Sequence, residues 1–411
     1  MKLRNYLSLA IVLVALTSYG QSFTEVRDSL NAERNRRITN NRKLVLDKLK
    51  QTKPDSCFII NLNNLNLSSL PDVSTYSIIE TLRLSNNSLS KIPKYLFLNE
   101  RLKTVDLSSN KIKRLRLPKN KSVHTIDLSK NKFNRFPRSI KKLKNLSVLI
   151  LSNNRIKKIP RFIGKIEGLH EIKLNDCQLK LNKTQVRRLK NIKQLQLAKN
   201  NIGSLPENIA LLQNLQNLNL AENQLSELPA DFSELKNLEH LIFYKNEFTQ
   251  IPQVVFQLKK LKELDFYYNN LSEIPKEIAS LENLELLFIS YNQISKLPES
   301  LLNLQKLRAL FMHHNQFIFL PEWITGFKHL EILDIGFNNL RSLPDLSGME
   351  SLYEIDLQEN NLETIPFSLL NKNGLQKIFL TGNPFILDTD EIDEFQKLLD
   401  ELAKKQVRVF F

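Results

Sequence analysis

The sequence predicts an α/β repeat solenoid, a curved horseshoe in which short parallel strands line the concave side and short helical or 3-10 segments line the convex side. Three observations predict it. A chain of 411 residues is long for one compact core. An asparagine recurs at a spacing close to 23 residues. Leucines hold fixed positions before each recurrence, and internal repeats of this period are typical of solenoids.

The repeat is aligned on the pattern L-x-x-L-x-L-x-x-N-x-L, and the position of its asparagine is called the anchor. Most anchors are 23 residues apart, with steps of 22 into Asn87 and Asn360 and of 21 into Asn131. The pattern gives about 15 turns, whose anchors are Leu65, Asn87, Asn110, Asn131, Asn154, Cys177, Asn200, Asn223, Asn246, Asn269, Asn292, Asn315, Asn338, Asn360 and Asn383.

Each position of the repeat has a physical role. Leucines five and three residues before the anchor, such as Leu195 and Leu197, share one side of a strand because strand side chains alternate, and we expect them to point inward. The anchor amide can satisfy backbone groups that no strand reaches. Most turns carry a proline six residues after the anchor, which suits the entry to a short convex helix. Arg116 and Lys183 replace it, so these two turns should be less regular.

The motif L-x-x-N-x-L-x-x-L-P-x-x-I-x-x-L-x-N-L, seen at residues 197–215, resembles the 23-residue leucine-rich repeats of the Ras-associated scaffolds and the plant intracellular Ras-group proteins. The resemblance covers about residues 57–387. It implies a leucine-rich-repeat horseshoe that binds proteins through its concave side. Those relatives are cytosolic, whereas this chain begins with an export signal, which favours a secreted or surface member of the wider class in a bacterial setting.

The first twenty residues are predicted to be a cleaved signal peptide. Lys2 and Arg4 precede an apolar stretch from Tyr6 to Leu16, and residues 18–20 form a small-x-small cleavage site. The apolar stretch is too short to span a bilayer, which needs about twenty residues. We therefore expect no transmembrane span and a secreted, periplasmic or cell-surface location.

The remaining chain divides into a helical N-terminal cap at 21–56, the solenoid at 57–387 and a helix-strand C-terminal cap at 388–411. Leu44, Leu46 and Leu49 continue an apolar pattern that predicts one or two amphipathic helices in the first cap. A basic helix for a membrane or a partner is the alternative there. In the last cap, a helix from Asp388 to Lys405 is followed by the alternating residues of a final strand.

The two cysteines are not expected to pair. Cys57 and Cys177 lie five turns apart, roughly 24 Å at the ~4.8 Å spacing of strands, whereas a disulfide needs Cα atoms within about 7 Å. Cys177 stands at an anchor, which indicates a buried structural thiol. No disulfide is predicted.

Charge is unevenly distributed along the chain. Residues 101–200 hold 28 Lys and Arg against 5 Asp and Glu, whereas residues 201–411 hold 17 against 30. Equivalent basic residues of stacked turns should form a ridge, the basic flank. Its members are Lys111, Lys113, Arg114, Lys132, Arg135, Arg155, Lys157 and Lys158. Such a ridge attracts an anionic polysaccharide or lipid, although a solvated face is the simpler interpretation; nucleic acid is not expected outside the cell.

Aromatic residues gather on the predicted concave sheet of the later turns. Exposed positions lie six, four and two residues before each anchor, and early turns fill them with small or polar residues such as Thr104 and Asn217. From the turn of Asn246 onward apolar and aromatic residues appear among them. The predicted patch is Ile242, Tyr244, Tyr267, Tyr268, Phe288, Tyr291, Phe311, His313 and Phe337. Exposed patches of this kind mark interaction sites, so the sequence predicts capture of a protein or peptide there.

No catalytic or cofactor site is predicted. The neighbours His313 and His314 suggest a metal site, but successive strand residues are expected to point in opposite directions, and the sequence offers no third ligand. It carries no glycine-rich phosphate motif or nucleophile elbow. The sequence thus predicts a non-catalytic binding scaffold without metal or cofactor.

Overall fold

The structure is a computed structural model that describes residues 23–411, with the side chains of the first helix from residue 31 onward. The predicted signal peptide, 1–20, lies outside the described residues. The first helix, α1, spans Phe23–Gln51. Within the described chain, no helix is both long and apolar enough to cross a membrane.

Sixteen strands of the described chain form one parallel sheet in chain order, and each hydrogen-bonds to its sequence neighbours. Equivalent residues pair in register, as Asp265 does with Phe288 and Phe288 with Phe311. The strands are β1 (Ile59–Asn61), β2 (Thr81–Arg83), β3 (Thr104–Asp106), β4 (Thr125–Asp127), β5 (Val148–Ile150), β6 (Glu171–Lys173), β7 (Gln194–Gln196), β8 (Asn217–Asn219), β9 (His240–Ile242), β10 (Glu263–Asp265), β11 (Leu286–Phe288), β12 (Ala309–Phe311), β13 (Ile332–Asp334), β14 (Glu354–Asp356), β15 (Lys377–Phe379) and β16 (Arg408–Phe410). The predicted repeat solenoid is confirmed.

Short helices form the convex side, and most begin directly after the predicted proline, as Glu207–Leu211 does after Pro206. The 3-10 helices are Pro54–Ser56, Lys94–Leu98, Arg138–Lys142, Ile163–Lys165, Glu207–Leu211, Ala230–Glu234, Gln253–Gln257, Lys276–Ser280, Glu299–Asn303, Glu322–Gly326 and Leu346–Gly348. Short α-helices α2 (Lys183–Val186) and α3 (Phe367–Leu370) complete the set.

The two turns that lack the proline differ from each other. After Arg116 the convex segment holds no helix and makes an isolated bridge between Asn120 and Leu143. The other turn holds α2, where the side chain of Asn182 caps the helix by accepting a hydrogen bond from the amide of Gln185. A capping side chain thus replaces the fixed φ of proline as the helix start.

The core follows the alternation of each strand. Leu264 and Phe266 are fully buried, five and three residues before their anchor. The anchor Asn269 donates through Nδ2 to the carbonyls of Phe243 and Phe266 at 3.0 and 3.1 Å, and its Oδ1 accepts from the amide of Phe248 at 3.1 Å. One amide side chain therefore satisfies backbone groups of two successive turns, as the repeat predicts.

Cys177 occupies an anchor and is fully buried, with Sγ 3.3 Å from the carbonyl oxygen of Leu151. Burial raises the pKa of this thiol to about 11, so it stays protonated at neutral pH. Cys57 is buried at the start of the solenoid, and both thiols are free.

The two ends are covered differently. α1 is one helix, and its last turns place Val45, Leu46 and Leu49 against the core, whereas Leu44 is 69% exposed because only one side of the helix reaches the first turn. The predicted placement of Leu44 on the apolar side is therefore wrong.

At the other end, α4 spans Thr389–Lys404 and begins with a capping box between Asp388 and Glu391. It buries Phe395, Leu398 and Leu402, and β16 then pairs with β15. The predicted closing helix and strand are both present.

Candidate functional site

The concave surface is organised in rows that run from turn to turn. Residues six, four and two positions before the anchor form the −6, −4 and −2 rows, and the residues directly before the anchor form the −1 row. In strands β3 to β11, the −6 and −4 residues are half-buried and the residue between them is buried. Since equivalent residues pair in register, each row places side chains of successive turns side by side.

The −1 row adopts the left-handed conformation in turn after turn. In early turns its residues are small or polar, such as Asn86 and Ser109 with φ of 55° and 53°. In four later turns they are rings, and the bulky rings of tyrosine and phenylalanine rarely adopt this region and do so at a cost in free energy. The four residues are Tyr268, Tyr291, His314 and Phe337, with φ between 52° and 56°.

The four rings form one continuous column. Tyr268 and Tyr291 stack at 4.0 Å between ring centroids, Tyr291 and His314 at 3.9 Å, and His314 and Phe337 at 4.1 Å. Stacked pairs of this kind contribute about 0.5–1.5 kcal/mol each beyond burial, which offsets the backbone cost. Tyr268 and Phe337 are nevertheless 40% and 38% exposed, so the column presents ring surface to solvent.

The −2 row extends the column sideways. Tyr244 stacks on Tyr267 at 5.4 Å, and Tyr267 reaches Tyr291 at 5.3 Å. Tyr267 also contacts His313, two turns away, at 5.4 Å. Ser290 lies in the row between these two, fully buried, and its Oγ makes no hydrogen bond to any described residue. The two rings therefore close over a small, unsatisfied hydroxyl.

The −4 row holds a separate aromatic pair. Phe288 and Phe311 stack at 4.6 Å with parallel rings. Asp265 lies beside Phe288 and Asp334 beside Phe311 in the register of the sheet. Ile242 lies beyond Asp265, so a carboxylate separates it from the phenylalanine pair. The structure thus brings the tyrosines, His313 and Phe337 together, places Phe288 and Phe311 on the neighbouring row, and leaves Ile242 apart.

The two histidines face each other, contrary to the expectation that they point in opposite directions. The Nδ1 atoms of His313 and His314 are 2.8 Å apart. The reason is the left-handed backbone of His314, which turns its ring back to the concave side. Burial, followed by the neighbouring His314, lowers the pKa of His313 to about 4, so this ring is neutral at neutral pH. Among the described residues, no group of three His, Cys, Asp or Glu side chains is arranged to hold a metal ion.

Three carboxylates of the −4 row were missed as site residues. Burial raises the pKa of Asp265 to about 6. Burial and then the charge of Asp356 raise the pKa of Asp334 to about 7, and burial also raises the pKa of Asp356. Their positions in an exposed row were visible in the sequence, and an Asp beside a Phe in that row was the signal that could have found them.

The basic flank forms two adjoining open grooves on the side of the solenoid. One has a volume of about 890 Å³ and is lined by Lys113, Arg114, Asn131, Lys132, Asn134, Arg135 and Arg155. The other, of about 660 Å³, is lined by Asn134, Arg135, Arg155, Lys157, Lys158 and Gln178. Lys111 lines neither groove. None of the basic lining residues makes an ion pair within the described chain.

Family models match parts of the chain. The leucine-rich repeat region matches residues 169–270, and two further leucine-rich repeat models match residues 269–317 and 145–166. These matches identify leucine-rich repeats between residues 145 and 317, and the fold of the described chain is that of a leucine-rich-repeat solenoid. Leucine-rich repeats commonly form protein-interaction scaffolds and are typically non-enzymatic.

Solved structures share the fold. A leucine-rich-repeat protein from Leptospira interrogans is 28% identical with a TM-score of 0.72, covering 87% of this chain and 97% of that one. The leucine-rich-repeat ectodomain of a membrane receptor kinase from Arabidopsis thaliana, in complex with Casparian strip integrity factor 2, is 28% identical with a TM-score of 0.53, covering 76% and 45%. An internalin from Listeria monocytogenes is 19% identical with a TM-score of 0.57, covering 82% and 88%. No curated protein matches.

Proposed function

We propose that this chain is a non-catalytic scaffold that binds a protein or peptide on the concave surface of the turns from Asn246 to Asn338. The observation that carries the proposal is the column of Tyr268, Tyr291, His314 and Phe337, in which bulky rings occupy left-handed positions and remain open to solvent. Strained residues cluster at functional sites because the surrounding fold must hold them in place.

The contrast with the early turns supports this assignment. There the same positions carry residues such as Asn86 and Ser109, which build the same backbone without rings. The aromatic residues are therefore not needed to form the turn. Tyrosine and other aromatic residues are favoured at the centres of protein interfaces because they supply large, rigid contact areas. The similar Arabidopsis ectodomain has a bound partner in its structure.

A displayed library of random peptides, selected on the purified chain, tests the proposal. Replacing Tyr268, Tyr291 and Phe337 together with Ser removes three rings of the column, and we expect affinity for the selected peptides to fall about 30-fold or more. Val148→Ser combined with Ile150→Ser, in the −6 and −4 rows of β5, is the matched control and should bind as the unaltered chain does. Peptides whose binding survives the triple replacement would contradict the proposal, provided that circular dichroism finds both variants folded.

A second function is favoured by the basic grooves, whose cations lie unpaired beside one another. In this alternative the chain is a surface or envelope protein that holds an anionic polysaccharide or lipid. Retention on immobilised heparin should fall steeply with salt. The retention should be abolished by the triple variant Arg135→Glu, Lys157→Glu and Lys158→Glu. Retention that is unchanged in this variant would exclude the alternative function.

An extracytoplasmic location belongs to both proposals and is supported by the sequence pattern of residues 1–20. The similarity to the repeats of Ras-associated scaffolds likewise remains a proposal about subgroup. N-terminal sequencing of the chain recovered outside the cytoplasm tests the location: a mature protein that begins at Gln21 is expected.

A further inference from the structure

The −4 row contains an unusual arrangement of charge and aromatic surface. In register, its residues from β10 to β14 are Asp265, Phe288, Phe311, Asp334 and Asp356. A stacked phenylalanine pair therefore has a carboxylate on either side, and on one side a second carboxylate follows. Successive strands of a sheet are about 4.8 Å apart, so the acidic groups lie beside the rings.

The carboxylate of Asp334 lacks a cationic partner. Its Oδ2 is 3.8 Å from Nε2 of His313, whose lowered pKa leaves the ring neutral. Its Oδ1 is buried and makes no hydrogen bond to any described residue. A buried acceptor without a donor costs about 1–3 kcal/mol, and more when it is charged.

Three acidic residues at neighbouring positions of these turns do have partners. Glu354 is 2.6 Å from Nζ of Lys377, Glu331 is 2.8 Å from Nε of Arg308, and Glu263 is 2.8 Å from Nδ1 of His240. These pairs each join neighbouring turns. Asp334 differs from these three residues because no charged basic side chain pairs with it in the described chain.

The lack of a side chain at Gly336 lets a second carboxylate lie close to the backbone beside Asp334. Gly336 holds the −2 position, and a Cβ added there would be 2.8 Å from Oδ1 of Asp356. The carboxylate of Asp356 therefore leans over Gly336, where it is held by the amide and the side-chain amide of Gln358 at 3.0 and 2.8 Å. The glycine lets two carboxylates approach the same place beside Phe311.

We infer that the bound partner is a basic peptide segment that places an arginine side chain at this point, with its guanidinium stacked on the outer face of Phe311 and hydrogen-bonded to Asp334 and Asp356. This inference rests on the proposed function. A planar guanidinium stacks on aromatic rings and donates two parallel hydrogen bonds to carboxylates, which a lysine ammonium does not do. Cation–π attraction to the ring adds to the charge complementarity.

Charge on the larger scale agrees with a basic partner. Residues 201–411 carry 30 acidic against 17 basic side chains. A partner rich in arginine or lysine would be attracted to this half of the solenoid and repelled by the basic flank. The aromatic column would then contact the apolar residues that flank the arginine.

The peptide library provides the first test. Patch-dependent peptides are those whose binding is lost on the triple replacement to Ser. Selection on the unaltered chain should enrich arginine at one position of these peptides, and selection on the Asp334→Asn variant should enrich it less. Asp106→Asn is the matched control, because Asp106 holds the same −4 position in β3. Patch-dependent peptides without arginine enrichment would overturn the inference and leave the proposed function standing. A library that yields no patch-dependent peptide would overturn both.

A second measurement tests the contact itself. Each selected peptide is compared with a copy in which citrulline, a neutral isostere, replaces the arginine. We expect about tenfold weaker binding of the citrulline copy to the unaltered chain and a clearly smaller difference between the two peptides on Asp334→Asn, because one of the two carboxylates that hold the guanidinium is then lost. An arginine preference of the same size in Asp334→Asn as in the unaltered chain would overturn the inference.

Discussion

The residue directly before each anchor has a left-handed backbone throughout the solenoid, but its side chain changes from small or polar in the early turns to aromatic in four later turns. The backbone conformation is the same in all turns: Asn153 and Tyr291 have φ of 56° and 52°. Asparagine adopts the left-handed conformation at little cost in free energy, whereas a tyrosine or phenylalanine at this position raises the free energy of the folded chain. At the residue scale, side chains that the fold does not require are therefore the ones with a role outside folding.

Asp334 should make the stability of the chain depend on pH. Its folded pKa of about 7 lies above the ordinary value of 3.8. A raised pKa means that the folded chain binds the proton more tightly, so the stabilisation is complete below about pH 4 and is lost as pH rises through 7. At pH 8, the free energy of unfolding of Asp334→Asn should therefore exceed that of the unaltered chain by on the order of a few kcal/mol, and its melting temperature should be higher. At pH 4 the two chains should have nearly the same stability.

Thermal melts followed by circular dichroism at pH 4, 6 and 8 measure this difference. Asp265 and Asp356, whose pKa values are also raised, change stability in the same direction and persist in both chains. Asp106→Asn, at the −4 position of β3, is the control for replacing a carboxylate by an amide in this row. An Asp334→Asn variant that loses as much stability between pH 4 and 8 as the unaltered chain would contradict the prediction.

The anchor ladder gives a reciprocal pair of substitutions. Asn200 donates to the carbonyls of Leu174, Leu197 and Ala198 and accepts through Oδ1 from the amides of Cys177 and Leu179. A thiol is a weak donor and a weak acceptor. Asn200→Cys should therefore lower the free energy of unfolding by about 2–3 kcal/mol, because several buried backbone groups lose their partners.

Cys177→Asn should act in the opposite direction. Asparagine has nearly the volume of cysteine and could form the full set of anchor hydrogen bonds, so we expect about 1 kcal/mol of added stability. Urea denaturation of both variants measures the changes. A Cys177→Asn variant less stable than the unaltered chain would mean that the neighbouring turns have adapted to the thiol.

At the element scale, α4 depends on its cap. The side chain of Asp388 accepts from the amides of Asp390 and Glu391, and Glu391 accepts from the amide of Asp388. Asp388→Ala removes the hydrogen bonds that the Asp388 side chain accepts and should lower the free energy of unfolding by about 1 kcal/mol. Amide hydrogen exchange in Thr389–Lys404 should become about fivefold faster, and Asp393→Ala, an exposed change within the helix, should leave it unaltered. Equal exchange in the two variants would mean that packing alone holds the helix.

The elements differ in how far the sequence determines them. The strands and the anchor ladder were predictable because each residue's role recurs in many turns, so Leu195 and Leu197 could be placed by alternation alone. The closing helix was predictable from Asp388 and its charge pattern. The contact between His313 and His314 was not, because it depends on a left-handed backbone that the alternation of a strand does not reveal. The exposure of Leu44 depends on where α1 stops touching the solenoid, which is a tertiary property.

Over the whole molecule, charge is divided between two regions of opposite sign. The basic grooves hold cations of successive turns side by side without acidic partners in the described chain, and the later turns carry the acidic surplus. Like charges fixed at such distances repel in the folded state and separate on unfolding. Repulsion within each region should therefore lower the free energy of unfolding of the whole solenoid.

Salt should consequently stabilise the chain. Exposed charges are screened over about 10 Å at 0.1 M and about 3 Å at 1 M, so we expect the melting temperature to rise by a few degrees between 20 and 300 mM sodium chloride. Arg135→Glu, Lys157→Glu and Lys158→Glu together turn repulsion into attraction within the flank and should reduce this rise. Lys276→Glu, Lys296→Glu and Lys328→Glu, exposed changes in the acidic half, should enlarge it, because they add to an existing surplus of negative charge. Equal salt responses of the two triple variants would show that their charges act independently of the region in which they lie.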